Sequence, residues 1–250
     1  MSLDHESEWP ELKQLAEAGE TSAILDRIRT VGDDAERVSL YRFAIRKLSF
    51  DEWQNKNLDV MTAVADAAIA DCEQLGGDYL QQANVILFNT SANLADCWTD
   101  DFKREPRHFK KGIEYAKRAL WYRDHLGKGP GPKAMATWAL GKHQQSLGLL
   151  NEAKETFRKC LALETEAAAE AGKPAEISTE APDGYLIAAG YAALMESNQA
   201  DLAKLKAVLE EMVAKGGDPK DDAELIIGQL VETGKQLGID FGAPVFGFRG

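Results

Sequence analysis

No stretch of this chain stays apolar for the ~18 residues that a membrane-spanning helix requires, so hydropathy excludes a transmembrane helix. Cysteine is scarce. Cys72, Cys97 and Cys160 cannot all pair, each falls inside a helical pattern, and they read as reduced, partly buried thiols in a reducing compartment. Histidine is scarce too: His5, His108, His125 and His143 form no HExxH motif, and none stands at metal spacing from a cysteine. Positive charge is in deficit, with 29 Lys and Arg against 41 Asp and Glu, and a net charge of −12 argues against a general nucleic-acid binder. No run alternates apolar and polar residues with period two, so strands are not expected. The first residues, MSLDHESEWPEL, are acidic and lack the apolar core of a secretory signal, which makes the cytoplasm the expected location.

What the chain does have is helical periodicity. Its 250 residues, 44% hydrophobic and 28% charged, describe a globular protein able to bury a sizeable core. Trp9-Pro10 reads as the start of a first helix, and Thr21 or Ser22 as the cap of a second. Asp33-Asp34 opens a third, and Ser49 with Asp51 starts a long helix that ends at Leu75-Gly76-Gly77. Helices follow over about 78–97 and 108–126. GKGPGPK (127–133) then reads as a breaker. The expected domain plan is a leader or disordered segment over 1–8, one helical body over 9–238, and an apolar, Gly-rich tail over 239–250 docked on the helices.

The most regular stretch is 134–165, AMATWALGKHQQSLGLLNEAKETFRKCLALET, which reads as two antiparallel helices. Gly148 closes the first and Asn151 is placed to cap the second. The small residues Gly141 and Ala153 let the backbones approach, while Leu140 and Phe157 fill the flanking space. This pattern resembles one tetratricopeptide (TPR) unit. Partial likeness extends to Gly112–Leu120 (GIEYAKRAL) and to the pair around Ala189, Gly190, Ala203 and Ala207. The chain departs from the family in spacing: Gly112 and Ala153 lie 41 residues apart and Ala153 and Ala203 lie 50 apart, against a usual period of about 34. Gln144 and Thr165 also stand where the family favours an aromatic residue and a proline. The resemblance implies an all-α, TPR-like superhelix, a right-handed array of antiparallel helix pairs with irregular repeats, because a lone hairpin cannot bury its apolar faces.

Catalytic patterns are missing. His125 and His143 can approach across the 127–133 loop beside Asp124, but they read as solvated helix-end histidines. Cys97 has no base near it in sequence, and the loop glycines lack the Gly-Lys-Ser/Thr of a phosphate loop. The expectation is therefore no catalytic residue, no metal and no cofactor. Binding features are better. Between Lys103 and Lys133 ten basic residues face three acidic ones, a local net of +7 that can steer an acidic ligand or simply pair with acidic neighbours in the fold. With Gly141 turned toward its partner helix, Trp138, Lys142 and Gln145 share a different stripe, and Asn89 and Asn93 share a face of an earlier helix. The family resemblance implies that such residues line a concave groove and hold an extended peptide by its backbone or carboxylate.

The leading expectation is a non-catalytic scaffold that binds a protein or peptide, with an acidic one favoured, through Asn89, Asn93, Trp138, Lys142 and Gln145. Nucleic acid and membrane are not expected partners. The alternative is a structural or oligomerisation module, such as a homodimer, whose groove is filled by a second copy or by its own tail, where Phe241, Val245, Phe246 and Phe248 lie. A third reading is an all-α enzyme or small-molecule sensor with a pocket between helices.

Overall fold

The computed structural model describes residues 4–242. Among them are eleven helices and no strand: α1 (His5–Glu17), α2 (Thr21–Arg29), α3 (Asp34–Phe50), α4 (Leu58–Leu75), α5 (Tyr79–Leu94), α6 (Pro106–His125), α7 (Pro130–Ser146), α8 (Leu150–Glu170), α9 (Asp183–Glu196), α10 (Gln199–Lys215) and α11 (Asp218–Leu237). The chain is all-α, and its helices pack in neighbouring pairs. None of them is long and apolar enough to cross a membrane.

Several helix ends differ from the sequence reading, each for a local reason. The first helix begins at His5 rather than at Trp9-Pro10, because Asp4 caps it by accepting from the Glu6 amide at 3.2 Å. Residues 5–8, expected as leader or disordered segment, are thus its first turn. The long helix expected from Ser49 or Asp51 begins only at Leu58, where the Asn57 side chain accepts from the Val60 amide at 3.0 Å. The residues before it form a loop held inward by Trp53, whose indole N–H donates to the Leu48 carbonyl at 3.1 Å. The 127–133 stretch, read as a breaker, is itself a helix start: Gly129 is the N-cap, and Pro130 takes the first position, where no amide hydrogen is needed. Neither Thr21 nor Asn151 caps its helix; Glu20 and Leu149 stand at those caps without a side-chain hydrogen bond.

Contacts divide the chain into two compact units. Of the described residues, the first holds 4–94 together with Asp101–Tyr122. In it α3, α4 and α5 pack in succession, with α1 and α2 against the α3–α4 side, over a core that includes Leu12, Ile28, Leu48, Met61 and Val64. The second holds Ala95–Asp100 together with residues 123–242, where α7, α8 and α9 pack in succession and α9, α10 and α11 form a mutual set. The chain therefore leaves the first unit for six residues, contributes them to the second, and returns.

The α7–α8 hairpin has the expected packing. A β-carbon built on Gly141 meets the Phe157 ring at 3.0 Å, so the ring lies in the space that only glycine leaves open. Ala153, Phe157 and Cys160 are buried beneath it. Gly148, at φ +74°, turns the chain, and the Leu149 amide reaches back to the Gln144 carbonyl at 2.9 Å to close α7. Phe157 in turn stacks on Tyr191 of α9, with centroids 4.8 Å apart.

Of the tail, Phe241 is buried (6% exposed), and the Ile239 amide donates to the Gly234 carbonyl at 2.8 Å, so the chain folds back on α11 at least that far. Val245, Phe246 and Phe248 lie outside the described residues.

One buried group opposes the fold at neutral pH. Glu164 of α8 is 8% exposed and has no hydrogen bond or ion pair among the described residues, and burial raises its carboxyl above the ordinary range. A carboxyl raised in the folded state leaves stability intact below its unfolded pKa of ~4.3 and reduces it as pH rises through the folded value. Glu164→Gln is therefore expected to stabilise the protein at pH 7, by roughly 1 kcal/mol, and to leave it unchanged near pH 3.5. Urea unfolding at the two pH values checks this, and equal midpoints for variant and native protein at pH 7 would refute it.

Candidate functional site

The helical stripe expected on α7 exists as a geometric object, but it is closed. Trp138, Lys142 and Gln145 are 8%, 0% and 6% exposed, so none of them faces an open groove. The reason lies in what covers them. The Lys142 ammonium is met by the carboxylate of Asp96, the side-chain carbonyl of Gln145, the Ser146 hydroxyl at 3.2 Å and the side-chain carbonyl of Gln236 at 2.9 Å. Gln145 and Ser146 come from the same helix, Gln236 from the end of α11, and Asp96 from the six-residue excursion. An ammonium has three hydrogens to donate, so four oxygens saturate it.

The excursion makes further contacts. Ser146 donates to the same Asp96 oxygen at 2.7 Å, and the Gln236 side-chain amide donates to the Asp96 backbone carbonyl at 2.8 Å. Trp98 sets its ring edgewise against Trp138 at 6.2 Å, and Trp138 does the same against Tyr191 at 6.1 Å. Cys97 is buried, with its sulfur 3.9 Å from the Gln229 side-chain oxygen, which also accepts from the Tyr191 hydroxyl at 3.2 Å. Four rings, Trp98, Trp138, Tyr191 and Phe157, thus run in sequence through the second unit, flanked on one side by the Lys142 cluster. The arrangement binds a carboxylate, a backbone carbonyl and an indole, all of them supplied by residues 96–98.

Electrostatics fit that description. Burial pushes the Asp96 carboxyl up, but the charge and hydrogen bond of Lys142 together with the Ser146 hydroxyl outweigh it and hold the group below the usual carboxylate range. Tyr191 is pushed well above the ordinary phenol range, first by burial, so it remains a neutral donor.

Asn89 and Asn93 belong to the first unit and the α7 stripe to the second, so the five candidates do not come from one compact body. Asn89 is exposed on α5. Asn93 is half-buried and already engaged: its side-chain amide donates to the Ser49 hydroxyl at 2.9 Å, and its backbone carbonyl accepts from Arg104 at 3.0 Å.

The basic segment is used largely at home. Arg107, Lys111 and Arg118 of α6 pair with Asp59 at 2.9 Å, Asp66 at 3.0 Å and Glu73 at 2.5 Å on α4. The same three acids receive a second row from α6: the His108 ring nitrogen Nε2 at 3.1 Å, the Tyr115 hydroxyl at 2.8 Å and the Tyr122 hydroxyl at 2.7 Å. The His108 ring nitrogen Nδ1 accepts from the Glu105 amide at 3.0 Å, which leaves Nε2 as the donor toward Asp59. Tyr122 is pushed up to about 12 by burial and by its bond to Glu73. The acids of α4 (59, 66, 73) and the second row from α6 (108, 115, 122) both advance by seven residues, so α4 and α6 run in the same direction along this ladder. Lys110 and Lys117 remain on the exposed side of α6. The sequence contained this ladder as matching seven-residue spacings, which become legible only once the two helices are known to be neighbours.

Among the described residues no three His, Cys, Asp or Glu side chains come together to hold a metal. His143, expected to be solvated, is fully buried in α7, and Asp124 pairs with Lys133 at 2.7 Å. No protein-family model and no curated protein sequence matches the chain.

Proposed function

We propose that this chain is a non-catalytic, TPR-like helical-repeat scaffold that binds a protein or peptide partner, with the α7 stripe as its recognition surface. The set of contacts on Lys142 carries the reading. A cation, two glutamines and an aromatic ladder on neighbouring helices hold an irregular segment by its carboxylate, its carbonyl and its indole. This is how a helical groove holds an extended peptide. The Gly141–Phe157 seat supports the TPR-like reading of the hairpin beneath it. Affinity capture with the full chain tests the proposal. The native chain is expected to retain a defined partner, and Asp96→Asn to retain more of it. Asn89→Arg reports whether the exposed face of α5 takes part.

A second reading, a structural or oligomerisation module, is favoured by the same closure, because a groove filled by its own chain needs no ligand. Light scattering on the full chain and on a deletion of residues 241–250 separates the two. A stable dimer that captures nothing supports the module; a monomer with a defined partner supports the scaffold.

A further inference from the structure

We infer that residues 95–100 (Ala-Asp-Cys-Trp-Thr-Asp) act as a built-in stand-in for a ligand, and that the α7–α11 surface they cover recognises a partner segment carrying an Asp and, two residues on, a Trp. The inference rests on the scaffold reading and names its partner class.

Three observations carry it. The first is the path of the chain, which ends α5 at Leu94, departs from the first unit at Ala95, rejoins it at Asp101, and becomes helical again only at Pro106. The six residues between are irregular, like a linear peptide, and not a helix packed by its apolar face. The second is the division of labour within the segment. Asp96 supplies a carboxylate to Lys142 and Ser146, its backbone carbonyl accepts from Gln236, and Trp98 sets its ring against Trp138. Each contact reads one chemical feature, and together they specify Asp-X-aromatic. The third is charge. Lys142 is fully buried within a chain of net −12, and Asp96 is the only carboxylate among the described residues that it meets. A buried cation needs a carboxylate, so an occupant without one is rejected.

A partner segment of this chemistry competes with the resident one. In the native chain the tethered segment has the advantage of high effective concentration, and an external peptide binds weakly. Weakening the resident segment uncovers the site.

The test uses the full chain and a fluorescein-labelled peptide of sequence Ala-Asp-Cys-Trp-Thr-Asp, kept reduced, with a scrambled peptide as control. Fluorescence anisotropy is read for the native chain, for Asp96→Asn/Trp98→Ala, and for that double variant with Lys142→Met added. The double variant is expected to bind at least about tenfold more tightly than the native chain, and Lys142→Met to remove that gain. A folded double variant that binds the peptide no better than the scrambled control overturns the inference. If the double variant does not fold alone, millimolar peptide is expected to restore its cooperative melt, and failure to restore it overturns the inference equally. These outcomes are separable from the fate of the scaffold reading. A chain that captures a defined partner but ignores this peptide keeps the scaffold and loses the Asp-X-Trp specificity.

Discussion

Asp96→Ala is expected to destabilise the protein by about 3–5 kcal/mol, because it strands a fully buried ammonium. Lys142 is 0% exposed, and the glutamine and serine oxygens left around it are dipoles that cannot neutralise its charge. Lys142→Met is expected to cost far less. It replaces the cation by an apolar chain of similar length, and the Asp96 carboxylate, 24% exposed, can take up water when its partner is gone. The pair thus gives an asymmetric result: removing the half-wet partner does more damage than removing the buried one. Urea unfolding of the two variants measures it, and equal losses would show that Lys142 reaches water.

The same pair sets an acid limb. A carboxyl held below its ordinary range adds stability above its unfolded pKa of ~3.9, and loses it as pH falls through the lower folded value. Asp59 and Asp124 are lowered as well, chiefly by hydrogen bonds from Arg107 and Lys133, so the native protein loses stability from about pH 4 downward. Asp96→Asn is expected to flatten that limb while leaving those two contributions in place.

Phe157→Ala is the second large effect, at about 3–5 kcal/mol. The ring is fully buried, presses on Gly141 and stacks on Tyr191, so its loss empties the junction of three helices. A paired substitution makes the expectation specific. Gly141→Ala in the native background pushes a methyl against the Phe157 ring at 3.0 Å, and that ring must shift by a few tenths of an ångström. In the Phe157→Ala background the obstruction is gone, and Gly141→Ala is expected to stabilise by up to about 1 kcal/mol through helix propensity. A thermodynamic cycle in which Gly141→Ala has the same effect in both backgrounds would separate Gly141 from Phe157 and remove the close-packed hairpin from the account.

The hairpin was legible in the sequence because its signal is local. Gly141, Ala153 and Phe157 lie within seventeen positions, and helical spacing alone brings them together. The stripe on α7 was legible for the same reason, and Lys142 does bond to Gln145 three residues along. Whether that stripe is open was not legible, because closure depends on Asp96, 46 positions earlier, and Gln236, 94 positions later. Periodicity says which residues share a face and nothing about what lies on it. Helix starts failed where one residue type has two uses. Pro10 reads as a first-turn proline but sits inside α1, because Asp4 caps a turn earlier. Ser49 reads as a cap but is buried near the end of α3, donating to the Ile45 carbonyl at 2.7 Å. The basic segment was legible as a charge excess, while its neutralisation by α4 needed the pairing of two helices some fifty residues apart.

Accessibility of Lys142 in solution tests most directly whether the chain's own 95–100 segment covers the α7 stripe. Brief acetylation of the native full-length chain, followed by mass spectrometry, compares Lys142 with the exposed Lys110 and Lys117. Lys142 is expected to be protected at least about tenfold relative to those two, and Asp96→Asn/Trp98→Ala to release that protection. Acetylation of Lys142 in the native chain at the rate of Lys110 and Lys117 would contradict it: the stripe would be open, and the 95–100 segment would not be its occupant.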